Sequence, residues 1–204
     1  SETLRWHARF LWMCQGYYDH AKGYTPDWPG LTDYRGRLVH PQTWPDDLRL
    51  DGQRVLVIGS GATAATLIPA IADRCGHVTM LQRSPTYFRS SRTIADFVQQ
   101  LRDLDLPPEW THEIVRRKVL LETSRYQQIA AQHPEAVKQQ LIADVKAHLP
   151  DSVDVARHFT PRYRPWQQRI AFVPDADLFK AVRSGQASVV TDRIEHFTPH
   201  GIQL

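Results

Sequence analysis

Six residues, Gly59-Ser60-Gly61-Ala62-Thr63-Ala64, have the spacing a main chain needs to approach a pyrophosphate. They lie between a β-branched run, Arg54-Val55-Leu56-Val57-Ile58, and a helix expected from Ala62 to Ala72. Gly59 allows the tight turn. Gly61 removes the side chain where backbone meets phosphate, and Ala64 is small enough for the helix to pack on the strand. The helix N-terminus then offers unpaired N–H groups and a partial positive charge. A plain strand-to-helix turn can share this pattern, so the flanking elements carry the reading.

The type of dinucleotide is read at the end of the next strand, expected at His77-Val78-Thr79-Met80-Leu81. A carboxylate about 20 residues past the glycines would accept from the ribose hydroxyl of NAD or FAD. This chain has Gln82-Arg83-Ser84 there, with Arg83 22 positions after Gly61. An arginine cannot accept from a hydroxyl, but it pairs with a 2′-phosphate, often through two parallel bonds. Ser84 can add a hydroxyl donor. The pattern favours NADP(H) over NAD and FAD; the competing role for Arg83 is an ordinary solvated cation.

These groups must be positioned by an α/β framework. Val55 to Ile58 is apolar on both faces, as a central parallel strand requires. Ala65, Leu67, Ile68, Ile71 and Ala72 form the buried side of the first helix, and Pro69 within it predicts a kink or a helix packed tightly enough to tolerate it. From about Thr93 to Leu149 the apolar period changes to 3.6. Ile94, Phe97, Val98, Leu101 and Leu104 mark one helix. Thr111 is the expected N-cap of a second, running to about Gln132, and Pro134 opens a third that ends at Pro150. Asp175 is the expected cap of a helix from Leu178 to Ser184, followed by Gly185. Ser188 to Thr191 is expected as a parallel strand and Ile194 to Phe197 as a further one. The fold class is α/β, a Rossmann-like parallel sheet with a helical insertion over 92–150.

Residues 16 to 50 are rich in turn formers and aromatics and read as an irregular connector. Arg9 to Cys14 reads as a buried strand. Both ends look internal to a longer chain, because Ile202-Gln203-Leu204 would begin a returning strand.

Composition excludes several classes. No apolar run approaches the roughly 18 residues of a membrane span, so no transmembrane segment is expected. Ser1 to Arg5 lack the apolar core of a signal peptide, and a cytoplasmic location follows. The formal net charge of +3 comes from basic residues interleaved with acids, which argues against a nucleic-acid surface. Cys14 and Cys75 form no Cys-x-x-Cys pair, and Thr198-Pro199 keeps His196 and His200 off a shared helical face. No disulfide framework and no metal site is expected.

Tyr34-Arg35-Gly36-Arg37-Leu38-Val39-His40-Pro41-Gln42-Thr43-Trp44-Pro45 resembles the F-x-G-x-x-x-H-x-x-x-W-[PD] signature of Baeyer-Villiger monooxygenases. Gly36, His40, Trp44 and Pro45 match it, and Tyr34 replaces the usual Phe. Met80 to Tyr87 resembles the family's second-strand segment. Arg162-Tyr163-Arg164-Pro165-Trp166-Gln167-Gln168-Arg169 resembles the segment with its active-site arginine. The resemblance covers nearly all of the chain.

It implies the NADP(H)-binding domain, 1–204, of an enzyme whose FAD domain lies elsewhere in the same polypeptide, with 1–34 as the crossover between them. NADPH would reduce FAD, and the reduced flavin with O2 would insert one oxygen atom into a ketone to give an ester or lactone. Arg169 would be the catalytic cation, facing negative charge that develops during oxygen transfer. Gln168 stands where several relatives have a lysine on the 2′-phosphate, so discrimination against NADH would be weaker. With one glycine turn present, this chain alone is expected neither to bind FAD nor to turn over. Two other readings stay open. One is a flavin monooxygenase that oxidises nitrogen or sulfur, such as a thioether; the other is a non-catalytic NADP(H)-binding module.

Overall fold

The computed structural model describes residues 3–16, 18–91 and 94–204. Strand β1 (Arg54–Ile58), helix α1 (Ala62–Ala72) and strand β2 (His77–Gln82) open the α/β unit. After β3 (Phe88–Ser91) come four helices: α2 (Ala95–Asp103), α3 (Pro108–Gln132), α4 (Pro134–His148) and the short α5 (Val155–Phe159). The chain returns through β4 (Ala171–Pro174), α6 (Asp177–Arg183) and β5 (Ala187–Thr191), and ends in a hairpin of β6 (His196–Thr198) and β7 (Gly201–Gln203). The expected onset of helix at Thr93 lies outside the described residues.

The main sheet has the order β1-β2-β5, all parallel, with Val55 opposite Val78 and Val78 opposite Ala187. The central place therefore belongs to β2, which corrects the expectation for Val55 to Ile58. The reason is that β3 and β4 pair with each other in a separate parallel ladder. Among the described residues β1 is thus left at an edge. Its side chains alternate, as the pleat requires. Val55 and Val57 pack on the core, while Leu56 and Ile58 are 40% and 41% exposed.

The main core lies between this sheet and helices α1 and α6. Ala64, Ala65, Ile68, Ile71 and Ala72 supply the α1 face, as the period predicts, with Leu67 half-buried at its margin. Pro69 lies inside α1, which runs unbroken from Ala62 to Ala72. Phe88, Phe159 and Phe179 meet edge to face, with ring centroids 5.8–6.1 Å apart, joining the second ladder to α5 and α6. This edge-to-face geometry matches the ring quadrupoles and adds to the burial of the three rings.

A satellite core of Tyr87, Ala130, Val137, Leu141 and Ile170 fastens α3 and α4 to the loop before β4. The Tyr87 hydroxyl donates to the Tyr163 carbonyl at 2.6 Å. Burial, followed by the neighbouring Tyr163 and Glu135, pushes the Tyr87 phenol from 10.0 up to about 12. Its raised folded value means this stabilisation is complete below pH 10.0 and is lost as pH rises through about 12. Tyr87→Phe should lower stability by about 1–2 kcal/mol, because it leaves a carbonyl without its donor. A shift of the urea midpoint with unchanged slope is the expected reading.

Other boundaries differ from expectation for local reasons. Helix α3 starts at Pro108, with Pro at its first turn, so Thr111 lies inside it and is buried. Helix α6 is capped by Ala176 in the left-handed region (φ 57°), not by Asp175, whose own φ of 50° still belongs to the turn. Arg9 to Cys14 is not a buried strand. It has no regular structure, and Phe10, Leu11 and Trp12 are exposed. No described strand supplies a ladder for it. Among the described residues of 16–50 the chain is irregular as expected, with the single turns Leu31–Asp33 and Pro41–Thr43.

Candidate functional site

The C-terminal ends of β1, β2 and β5 lie side by side, and the residues predicted to hold the dinucleotide lie at the ends of β1 and β2. Gly59 leaves β1 with φ 124°, a conformation that only glycine adopts without strain. Its N–H still donates to the Leu81 carbonyl at 2.7 Å, so the turn begins as an extension of the ladder. Ser60 is buried and shares a 2.9 Å hydroxyl hydrogen bond with Thr86. This bond ties the glycine turn to the loop after β2.

Gly61 caps α1 with no side-chain hydrogen bond, and the Ala65 N–H is the first to find the Gly61 carbonyl. The N–H groups of Ala62, Thr63 and Ala64 therefore have no intrahelical acceptor. Ala62 and Thr63 are exposed, and Ala64 is buried against the sheet. A Cβ added at Gly59 or Gly61 would meet nothing within 4 Å. The turn thus carries open space and unpaired donors at one helix end, which fits a pyrophosphate. Gly61→Ala should fold with stability within about 0.5 kcal/mol of the parent, since φ is −77° and the space is free. Its affinity for a dinucleotide should nonetheless fall by roughly tenfold, about 1.4 kcal/mol, if backbone must meet phosphate there. Thermal melts and titration calorimetry separate the two effects.

Beyond β2, Arg83 and Ser84 are exposed, and Arg83 makes no hydrogen bond or ion pair among the described residues. Gln82 differs: its carboxamide turns inward and is 2% exposed. Its Nε2 donates to the His158 carbonyl at 2.6 Å and to Thr191 Oγ1 at 2.9 Å. Thr191 Oγ1 also lies 2.7 Å from His158 Nδ1. Burial, and then Arg157, hold His158 below the usual imidazole range, with Asp154 opposing them. With Nδ1 unprotonated, the ring accepts a hydrogen bond from the Thr191 hydroxyl, which itself accepts from Gln82. Gln82 is therefore a brace between strand end and α5. The sequence reading missed Thr86, His158 and Thr191, since α5 is too short for its period to show and only the fold joins these residues.

Arg169 lies apart from this cluster, in the loop before β4. Trp166 occupies the left-handed region (φ 66°), Gln167 Oε1 accepts from the Arg164 N–H at 3.1 Å, and Pro165 bridges Gln168. Ile170 anchors the loop in the satellite core. Arg169 is exposed and has no polar partner among the described residues.

The signature residues lie in the connector. His40 Nδ1 accepts from the Gln42 N–H at 3.2 Å and so caps the single turn after it. Gly23 backs onto the His40 ring so closely that a Cβ there would collide with it. Gly36 packs against Tyr34, whose ring meets Phe197 edge-on at 5.9 Å. Trp44 is 41% exposed and Pro45 half-buried. No hydrogen bond among the described residues joins Gly36, His40, Trp44 or Pro45 to the glycine turn.

Fold and turn together define a Rossmann-like α/β unit with a glycine turn at the C-terminal edge of a parallel sheet. The chain is related over nearly all its length to FAD-containing monooxygenases. It is 44% identical over 198 residues to the FAD-containing monooxygenase EthA of Mycolicibacterium smegmatis, matching 97% of this chain and 40% of that protein. It is 45% identical over 201 residues to the probable FAD-binding monooxygenase AlmA of an Acinetobacter species, matching 98% and 40%. The chain thus spans about two fifths of the length of these relatives. No family model matches it. Its fold is like that of an oxidised steroid monooxygenase bound to NADP, with a TM-score of 0.64 and 19% identity over 89% of this chain and 42% of that one. A cyclohexanone monooxygenase from Rhodococcus sp. Phi1 bound to NADP+ is similar at a TM-score of 0.61 and 17% identity, over 88% and 40%.

Proposed function

We propose that this chain is the NADP(H)-binding part of a longer FAD-dependent monooxygenase, the parent enzyme below, whose FAD domain lies elsewhere in the same polypeptide. The observation that carries the reading is the open glycine turn on α1 beside a free Arg83 at the end of β2. Gly59, Ser60, Gly61, Ala62, Thr63 and Ala64 would seat the pyrophosphate. Arg83 and Ser84 would take the 2′-phosphate. The relatives' names add the flavin and the monooxygenase class.

When bound, the flavin supplies the redox chemistry, accepting hydride from NADPH and activating O2. The roles of this chain are to hold the nicotinamide nucleotide and to present Arg169 at the cleft where oxygen transfer occurs. A guanidinium placed near developing negative charge lowers the barrier to forming that charge. The signature at Gly36, His40, Trp44 and Pro45 supports insertion of oxygen beside a ketone carbonyl, giving an ester or lactone. Product analysis of the parent enzyme with a ketone and with a thioether tests this. Ester from the ketone is the expected product; sulfoxide with no ester would move the enzyme to the heteroatom-oxidising class.

In this reading, α2, α3 and α4 form an inserted helical block over 92–150. Among the described residues no helix is long and apolar enough to cross a membrane.

A further inference from the structure

We propose that Tyr126, on α3, is a positioning residue for Arg169, pinning the middle of the loop that carries the guanidinium. The inference rests on the reading of Arg169 as the cation at the oxygen-transfer cleft.

The loop runs from Tyr163 to Ala171, and one residue holds both of its ends. The Tyr87 hydroxyl donates to the Tyr163 carbonyl at 2.6 Å, and the Tyr87 carbonyl accepts from the Ala171 N–H at 2.8 Å. Ile170, buried in the satellite core, fixes the side of Arg169 that leads into β4. On the other side stands Trp166, three positions before Arg169.

Trp166 occupies the left-handed region (φ 66°), where a residue with a side chain is strained. Such a conformation persists only where the surrounding structure enforces it. The Gln167 bond to the Arg164 N–H and the Pro165–Gln168 bridge stay within the loop and do not tie it to the rest of the fold. The indole does. It meets the Tyr126 ring edge to face, with centroids 6.2 Å apart and planes at 72°, and both rings pack against the satellite core.

Tyr126 is itself held from behind. Arg89 of β3 places its guanidinium over the Tyr126 ring, 4.2 Å from the centroid. The same guanidinium lies 6.0 Å from the ring of Phe172, the register partner of Arg89 on β4. A cation over one face of a ring favours a fixed ring plane. Arg89, Tyr126 and Trp166 thus form a chain of contacts from the β3–β4 ladder through α3 to the loop. A displacement of about 1 Å in a reacting group can cost up to about 100-fold in the step it serves. Loss of the Tyr126 ring should therefore act on oxygen transfer, the step that uses Arg169, and spare hydride transfer.

The test uses the flavin-loaded parent enzyme at saturating NADPH. It reads the ratio of oxygenated product to hydrogen peroxide, amide hydrogen exchange over 164–169, and thermal melting. Tyr126→Leu keeps apolar bulk and removes the ring. It should lower the ratio roughly 3- to 10-fold, leave flavin reduction within about twofold, and speed exchange over 164–169 roughly 3- to 10-fold. Tyr126→Phe keeps the ring and should keep the ratio within about twofold of the parent. Arg89→Met removes the cation and should reproduce a smaller part of the loss, about twofold. A purely structural Tyr126 predicts a lower melting temperature with the ratio unchanged, and that result overturns the proposal. So does a fall in ratio with exchange over 164–169 unchanged, or a Tyr126→Phe variant as impaired as Tyr126→Leu. If Arg169→Ala lowers the ratio and Tyr126→Leu does not, the positioning role falls while the reading of Arg169 stands. If Arg169→Ala leaves the ratio unaltered, the reading of Arg169 falls and the positioning role with it.

Discussion

Arg169→Ala in the parent enzyme is expected to leave flavin reduction by NADPH partly intact and to abolish ester formation. The exposed Arg169 is carried on a loop that Trp166, Gln167 and Ile170 hold in shape, so the substitution removes a charge without removing a packing contact. Hydride transfer needs little from such a cation. Oxygen transfer to a ketone passes through oxygen-centred negative charge, where a preorganised donor acts most strongly. Loss of one such donor typically costs about 10²–10³ in rate. The expected phenotype is continued NADPH consumption with hydrogen peroxide released in place of ester. Product chromatography beside a peroxide assay reads both. Ester formation near the parental rate would assign Arg169 to the solvated surface and turn attention to Arg164.

Arg83→Ala should raise KM for NADPH far more than for NADH. The 2′-phosphate is the only difference between the two cofactors. Arg83 stands beyond β2, exposed and with no polar partner among the described residues, so its guanidinium is available to that group. A charge-assisted hydrogen bond contributes about 1.5–3 kcal/mol, and its loss predicts roughly a 10- to 150-fold change for NADPH. Gln168, also exposed, is uncharged and leaves this burden on Arg83. Equal effects on both cofactors would show that Arg83 does not read the phosphate.

The features legible in the sequence were those set by local rules. The glycine turn, α1, β2 and the proline-bounded helices α3 and α4 follow from period, caps and turn chemistry within short windows. The places where reading failed depend on which elements become neighbours. Val55 to Ile58 is apolar on both faces, yet β3 pairs with β4 and leaves β1 at the edge. Those two strands, four residues each, are too short for alternation to mark them. Arg9 to Cys14 has the composition of a strand but finds no ladder among the described residues, and composition cannot supply one. Gln82 shows the same limit within the site. Its place in the motif was readable, but not the inward turn of its carboxamide, because His158 and Thr191 lie 76 and 109 positions away.

The central claim is that this chain carries the nicotinamide site and not the flavin site. Calorimetric titration of the 204-residue chain with NADPH, NADH and FAD tests it most directly. The expected result is weak binding of NADPH, weaker binding of NADH, and none of FAD. Tight binding of FAD with no response to NADPH would contradict the account, because the glycine turn at Gly59 to Ala64 would then belong to the flavin.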